Sequence, residues 1–258
     1  MPIRHERGYV IPAIDTDNVD YMACAVQLAR SLRQWHPAAN ISVLSQTAST
    51  DPVWDHVITL PFGDLGGYAN DWQVFYASPY RQTIKLEADM FVASAVDHWW
   101  NLLEHKDVVI SQGCRDIYDR PGQSRRWRQL FDINHLPDVY NAITYWRVSA
   151  RAKDFFVQCR NIFEHWSEYK KLLQFPEQTP STDVVYAMAA QIIGPEHVTL
   201  PPGLGPSMVH MKKSMIPVHT EDWTQELTYE NTHPGLRIHT VAQTGFVHYN
   251  VKKWRINE

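Results

Sequence analysis

The chain has 258 residues, 44% hydrophobic and 20% charged, which is enough to bury a sizeable core and too apolar for a disordered chain. Its formal net charge is −4 and its pI is near 6.3, so no global basic field draws it to nucleic acid. No apolar run is long enough to span a bilayer, no apolar segment follows the charged start as in a signal peptide, and three cysteines without metal-type spacing suit a reducing cytoplasm.

Tyr9 to Ile14 reads as a first strand, with Asp15-Thr16-Asp17-Asn18 as its exit. Val19, Met22, Ala23, Val26, Ala29 and Leu32 then recur at helical spacing, with Asp17 or Asn18 as the cap and Pro37 as the stop. Ile41 to Leu44 is a second strand. Strand, helix, strand predicts an α/β fold with a mainly parallel sheet flanked by helices. Ligands of such sheets sit past the carboxyl ends of the strands, which puts Ala13 to Asp17 at a binding edge. His56 to Leu60 reads as a third strand. The glycine-bearing stretch Pro61 to Asp71 lacks Walker or Rossmann spacing and reads as an ordinary loop before a helix near Trp72 to Ser78.

Thr83 to Val92 reads as a buried strand that carries Glu87 and Asp89. Residues two apart on a strand share a face, so the two carboxylates project together and repel unless a cation lies between them. A divalent cation with oxygen ligands suits them, and small Ala88 lets another group approach. The same triplet, taken alone, also fits an acidic turn facing water. A helix over Val96 to His105 and a strand over Val108 to Ile110 follow. Between Cys114 and Pro137, Arg115, Arg120, Arg125, Arg126 and Arg128 cluster with Tyr118 and Trp127. Aromatics among arginines suit stacking and phosphate pairing, or simply a solvated face. Val139 to Trp146 reads as a strand and Ala152 to Leu173 as an amphipathic helix. Thr179 to Asp183 opens a helix running through Ala189, with Asp183 at its positive end. Ten tryptophans supply core, and some suit sugar or base faces.

Pro79 to Val92, with its apolar strand and Glu87-Ala88-Asp89, resembles the core of GT-A fold nucleotide-sugar glycosyltransferases, and the family-8 branch in particular. Glu87 departs from that pattern, which has Asp there. Val139 to Trp146 resembles the family strand whose Asn approaches the donor sugar, here Asn141. Asp183 matches a carboxylate at a family helix start. Phe246 to Trp254 resembles the closing family motif, with a shorter spacing and no Gly; His248 answers to its metal ligand, and Lys252 and Lys253 to its diphosphate-binding lysine. The resemblance implies a single GT-A, Rossmann-like domain over 1–258, with a nucleotide-binding half (1–112) and an acceptor-binding half (113–258) whose tail completes the metal site.

On that reading Asp89, Glu87 and His248 hold Mn²⁺ or Mg²⁺, and Ala13, Asp15, Thr16, Tyr21, Glu87, Lys252 and Lys253 bind the nucleotide part of a nucleoside-diphosphate sugar, a UDP-sugar. Asp183 and Asn141 serve the transfer. Arg125, Arg126, Trp127 and Arg128 meet the acceptor. The style of the triplet is similar to small phage-encoded glycosyltransferases, which implies a hydroxylated or hydroxymethylated pyrimidine in phage DNA as one acceptor; a saccharide is the other. A sugar nucleotidyltransferase is the weaker enzymatic alternative, because Asp15-Thr16-Asp17-Asn18 lacks its glycine-rich basic signature. A non-catalytic nucleotide-sugar or polyanion binding module is the remaining class.

Overall fold

Long apolar runs in the first half of the chain become strands buried on both faces, as a sheet covered by helices requires. The computed structural model describes residues 5–122, 126–201, 203–232 and 234–255. The elements run β1 (His5–Ala13), α1 (Tyr21–Trp35), β2 (Ile41–Ser45), β3 (His56–Ile58), a 3-10 turn (Gly67–Gln73), α2 (Val74–Ala77), β4 (Tyr80–Leu86), β5 (Met90–Val92), α3 (His98–Leu103) and β6 (Val108–Gln112). They continue with α4 (Arg126–Ile133), β7 (Val139–Arg147), α5 (Ala150–Glu164), α6 (Trp166–Leu173), α7 (Thr182–Ile193), α8 (Pro195–Val198), β8 (Met208–His210), a second 3-10 turn (Trp223–Gln225), β9 (Tyr229–Asn231), β10 (Leu236–Ile238), β11 (Val241–Ala242) and β12 (Phe246–His248).

Six strands form the main sheet in the order β3-β2-β1-β4-β7-β6, with only β7 running against the rest. The two-residue period of β1 splits the core. Tyr9, Ile11 and Ala13 pack with the α1 residues Leu28 and Leu32 on one face, while Val10 joins Phe155, Phe156 and Tyr186 of α5 and α7 on the other. A smaller sheet, β5-β12-β8, lies beside the edge where β4 ends, and a third apolar cluster around Phe91, Val247, Trp223 and Trp254 backs it.

Several sequence expectations shift. Thr83 to Val92 is two strands in two sheets, with a turn at Ala88–Asp89, because both apolar halves are buried but against different partners. The cap of α1 is Asp20, whose Oδ1 accepts from the Ala23 N–H at 2.7 Å, rather than Asp17 or Asn18; a tight Thr16–Val19 turn delays the helix. The helix expected over Ala152 to Leu173 breaks at His165 into α5 and α6. A short helix, α4, occupies the stretch read as irregular. Most described tryptophans are core: Trp54, Trp72, Trp99, Trp100, Trp146, Trp166, Trp223 and Trp254 are buried, and Trp35 is half-buried against the same core. Among the described residues no helix is long and apolar enough to cross a membrane.

Gly8 of β1 carries a packing constraint. A Cβ there would sit 2.4 Å from the ring of Tyr80, which is itself fully buried and bonded through its hydroxyl to Ser42 Oγ at 2.6 Å. Gly8→Ala is therefore expected to lower stability by about 1–3 kcal/mol, the usual cost of overpacking. Urea unfolding reads this as a lower midpoint with unchanged slope; an unchanged midpoint contradicts it.

Candidate active site

The site is built where β4 leaves the main sheet. Glu87 still donates its N–H to Ala142 O of β7 at 3.0 Å. Ala88 and Asp89 then turn the chain into β5. β12 pairs antiparallel with β5, with His248 opposite Met90, and Tyr249 N–H donates to Asp89 O at 3.1 Å. That register delivers an imidazole to the acidic turn from 159 residues away. His248 Nε2 lies 2.9 Å from Asp89 Oδ2 and 3.4 Å from Glu87 Oε2. One ligand atom from each of Glu87, Asp89 and His248 lies within 4.8 Å of the others, a group able to hold a metal ion. Lys252 also bonds Asp89 Oδ2. The donor set of two carboxylates and an imidazole suits a divalent cation, and Asp89 Oδ2 already draws two cationic groups toward one point.

Charge at this cluster is strongly coupled to burial. Burial pushes the Asp89 carboxyl up, but His248 and Lys252 outweigh it and hold it well below the ordinary carboxylate range. Burial raises Glu87, against the opposing pull of His248 and Lys85. Burial alone would lower His248, yet Asp89 and Glu87 raise it above its ordinary value. Lys252 is likewise raised by Asp89 despite its burial. The His210 ring stacks on His248 with centroids 4.7 Å apart and planes 5° from parallel, because the two residues face each other across β8 and β12. Trp254, packed on Tyr249 and Trp223, anchors the tail.

These groups line a cavity of about 670 Å³, the size of a small-ligand site. The strand order β1-β4-β7 sets out its contents in a row. Past β1 come Asp15, Thr16 and Tyr21, past β4 come Glu87 and Asp89, and at the start of β7 comes Asn141; all line the cavity with His248, Lys252 and Asp183. Asp15 Oδ1 accepts from the Met22 N–H at 2.9 Å, and the Lys252 ammonium lies 5.5 Å from the centre of the Tyr21 ring. Asp183 sits at the first turn of α7, where Ser181 caps the helix. Its Oδ1 accepts from the Asn141 N–H at 2.8 Å and its Oδ2 from Arg128 at 3.3 Å.

Some expected site residues lie elsewhere. The Ala13 side chain is fully buried in the core and does not reach the cavity. Lys253 is exposed and sits near Asp222, because the turn that aims Lys252 inward aims its neighbour out. Arg128, expected at the acceptor, is 3% exposed; it pairs with Asp138 and Asp183 and lies 3.7 Å from the centre of the Tyr140 ring. Arg125 and the side chains of Arg126 and Trp127 lie outside the described residues.

The stretch read as an ordinary loop contributes Asp64, Gly67, Tyr68, Asn70 and Asp71 to the lining. Sequence reading also passes over Lys85, whose buried amine bonds Asp71 Oδ1 at 2.6 Å, and over Tyr186, whose hydroxyl donates to Asp71 Oδ2 at 2.5 Å. A lysine between Ile84 and Leu86, in the buried half of β4, is the signal that points to this group.

No family model matches the chain, and no curated protein matches it. Among solved structures it is similar to an active-site mutant of the galactosyltransferase LgtC, with 13% identity, 94% of this chain and 86% of that chain covered, and a TM-score of 0.50. It is also similar to the bifunctional glycosyltransferase WbbM, with 12% identity, 80% of this chain and 40% of that chain covered, and a TM-score of 0.50. The fold is thus the GT-A glycosyltransferase fold, an α/β architecture with a mainly parallel central sheet.

The raised pKa of His248 sets the sign of a pH effect. Only neutral imidazole can ligate a cation, so protonation competes with metal. Mn²⁺ affinity is expected to climb with pH, by up to about tenfold per unit while pH is below the His248 value, and then level off. Calorimetric Mn²⁺ titrations between acidic and weakly alkaline pH check this. A profile as flat in the wild type as in His248→Ala contradicts it.

Proposed function

We propose that this chain transfers a sugar, a hexose or a pentose, from a nucleoside-diphosphate sugar, a UDP-sugar, to an acceptor hydroxyl. The observation that carries this reading is the convergence of Glu87, Asp89, His248 and Lys252 in one cavity at the strand-end edge of a GT-A fold sheet. Residues 1–112 supply the nucleotide side, and 113–258 supply the acceptor side and the tail that closes the site.

Asp15, Thr16 and Tyr21 would hold the base and ribose. The diphosphate would lie over the acidic turn, where Lys252 and Lys212 provide fixed positive charge. Glu87, Asp89 and His248 would hold Mn²⁺, or Mg²⁺, which when bound acts as a Lewis acid on the diphosphate. The bond between the anomeric carbon and the phosphate oxygen breaks, and its electron pair stays on the leaving diphosphate. The acceptor oxygen takes the anomeric carbon, and its proton passes to the leaving diphosphate oxygen. Asp183 is held by Arg128 and by the Asn141 N–H, so it serves as a fixed acceptor that orients hydroxyls beside Asn141.

Of the two acceptors, a saccharide is favoured over DNA. The described arginines of the 115–128 cluster are engaged within the protein: Arg115 pairs with Asp119, Arg120 lies over the Tyr118 ring, and Arg128 is buried in its ion pairs.

Asp89→Asn keeps the shape of the turn and removes the charge. It is expected to lower Mn²⁺-dependent release of UDP from a UDP-hexose by about 10³-fold or more, with the circular dichroism spectrum unchanged. An unchanged rate in that variant rejects the site assignment.

A further inference from the structure

The buried Lys85–Asp71 pair lies outside the metal and diphosphate contacts proposed above, although the Lys85 charge reaches Glu87. Lys85 is 1% exposed, and the Asp71 side chain is 11% exposed. Neither is needed to fill the core, since a well-packed apolar pair is commonly as stabilising as a buried ion pair. Both line the cavity, on its α7 side.

Their hydrogen bonding is incomplete in a specific way. Among the described residues the Lys85 ammonium donates to Asp71 Oδ1 and lies 5.3 Å from the centre of the Tyr186 ring, which leaves it with a hydrogen to give to a further acceptor. Each Asp71 oxygen takes one protein donor, Lys85 at 2.6 Å and the Tyr186 hydroxyl at 2.5 Å, and can take another. Nearby, Asn141 is 1% exposed, lines the same cavity, and its Nδ2 is buried with no partner. Spare donors and spare acceptors therefore stand together in a nearly dry corner, where unpaired groups are costly.

A hydroxyl is the group that matches this corner, because it accepts and donates at once. It can accept from Lys85 while donating to Asp71. A carboxylate does not match, since Asp71, Glu87 and Asp183 already face the same space. The geometry points to Lys85 and Asp71, held in place by Tyr186, as specificity-determining residues that read a hydroxyl of an uncharged donor sugar. This inference rests on the proposed transferase reading. On that reading the nucleoside lies past β1 and the diphosphate over the turn after β4; Lys85 also stands on β4 but on the face toward α7, where the cavity between Asp71 and Asp183 is the room left for the sugar.

The test is calorimetry with Mn²⁺ and a set of ligands: UDP, UDP-glucose, UDP-galactose, single-deoxy analogues of the better hexose donor, and UDP-glucuronate. The wild type is expected to bind one deoxy analogue and UDP-glucuronate about 10- to 100-fold more weakly than the parent, as for a site built around a substrate hydroxyl. Asp71→Asn and Lys85→Met should shrink that discrimination to within about 3-fold, and in Asp71→Asn UDP itself should stay within about 3-fold of wild type. Tyr186→Phe, which removes only the bond to Asp71, should shrink it in part. The wild-type series stands by itself if a variant fails to fold. UDP binding with no deoxy analogue discriminated, or variants that keep the wild-type preference, overturns the inference and leaves the transferase reading intact. Failure of the wild type to bind UDP overturns both.

Discussion

Asp89 is the residue on which the rest depends. A carboxylate this buried is costly unless its charge is matched, and both matching groups come from the far end of the chain. The His248–Asp89 contact therefore ties the turn after β4 to the last strand. β12 pairs with β5 on one side and β8 on the other, so the small sheet exists at the place where the acidic turn needs closing. Trp254 then pins the segment that carries Lys252. Four ionisable groups held this close do little for stability, which fits the proposed role of the cluster in binding a cation and a diphosphate.

The main sheet turns this cluster into a row. β1, β4 and β7 are adjacent, and each ends or begins at the same edge with a polar group. Asp15 follows β1, Glu87 follows β4, and Asn141 opens β7. α7 comes in over β7 with Asp183 and Tyr186, and the Gly67–Gln73 turn brings Asp71 across to meet them. On the proposed reading, order along the edge would correspond to order along an extended ligand: nucleoside, diphosphate, sugar.

Much of this row is legible in the sequence for physical reasons. Unbroken apolar strands separated by an amphipathic helix imply a parallel sheet, and a parallel sheet implies a strand-end site, so the edge at Ala13 to Asp17 follows from topology, while Asp15, Thr16 and Tyr21 as nucleotide contacts come only with the family resemblance. Glu87 and Asp89 stand out because they interrupt an apolar run. His248 was visible only through its resemblance to a family motif, since nothing local says that β12 lies against β5. Other features could not be read. Apolarity on both sides of Ala88 hides the change of sheet, because each half is buried whichever partner it has. Arg128 looks like part of an exposed basic cluster, and only the positions of Asp138, Asp183 and Tyr140 turn it inward. Asp71 looks like loop polarity until Tyr186, 115 residues later, is found bonded to it.

The most direct test of the account is the binding of UDP to the wild-type chain with and without Mn²⁺, read by calorimetry. The account predicts saturable binding that requires the metal and disappears in the double variant Asp89→Asn, His248→Ala. Binding of equal strength without metal, or in that variant, would contradict the claim that these residues bind a divalent cation to hold a diphosphate.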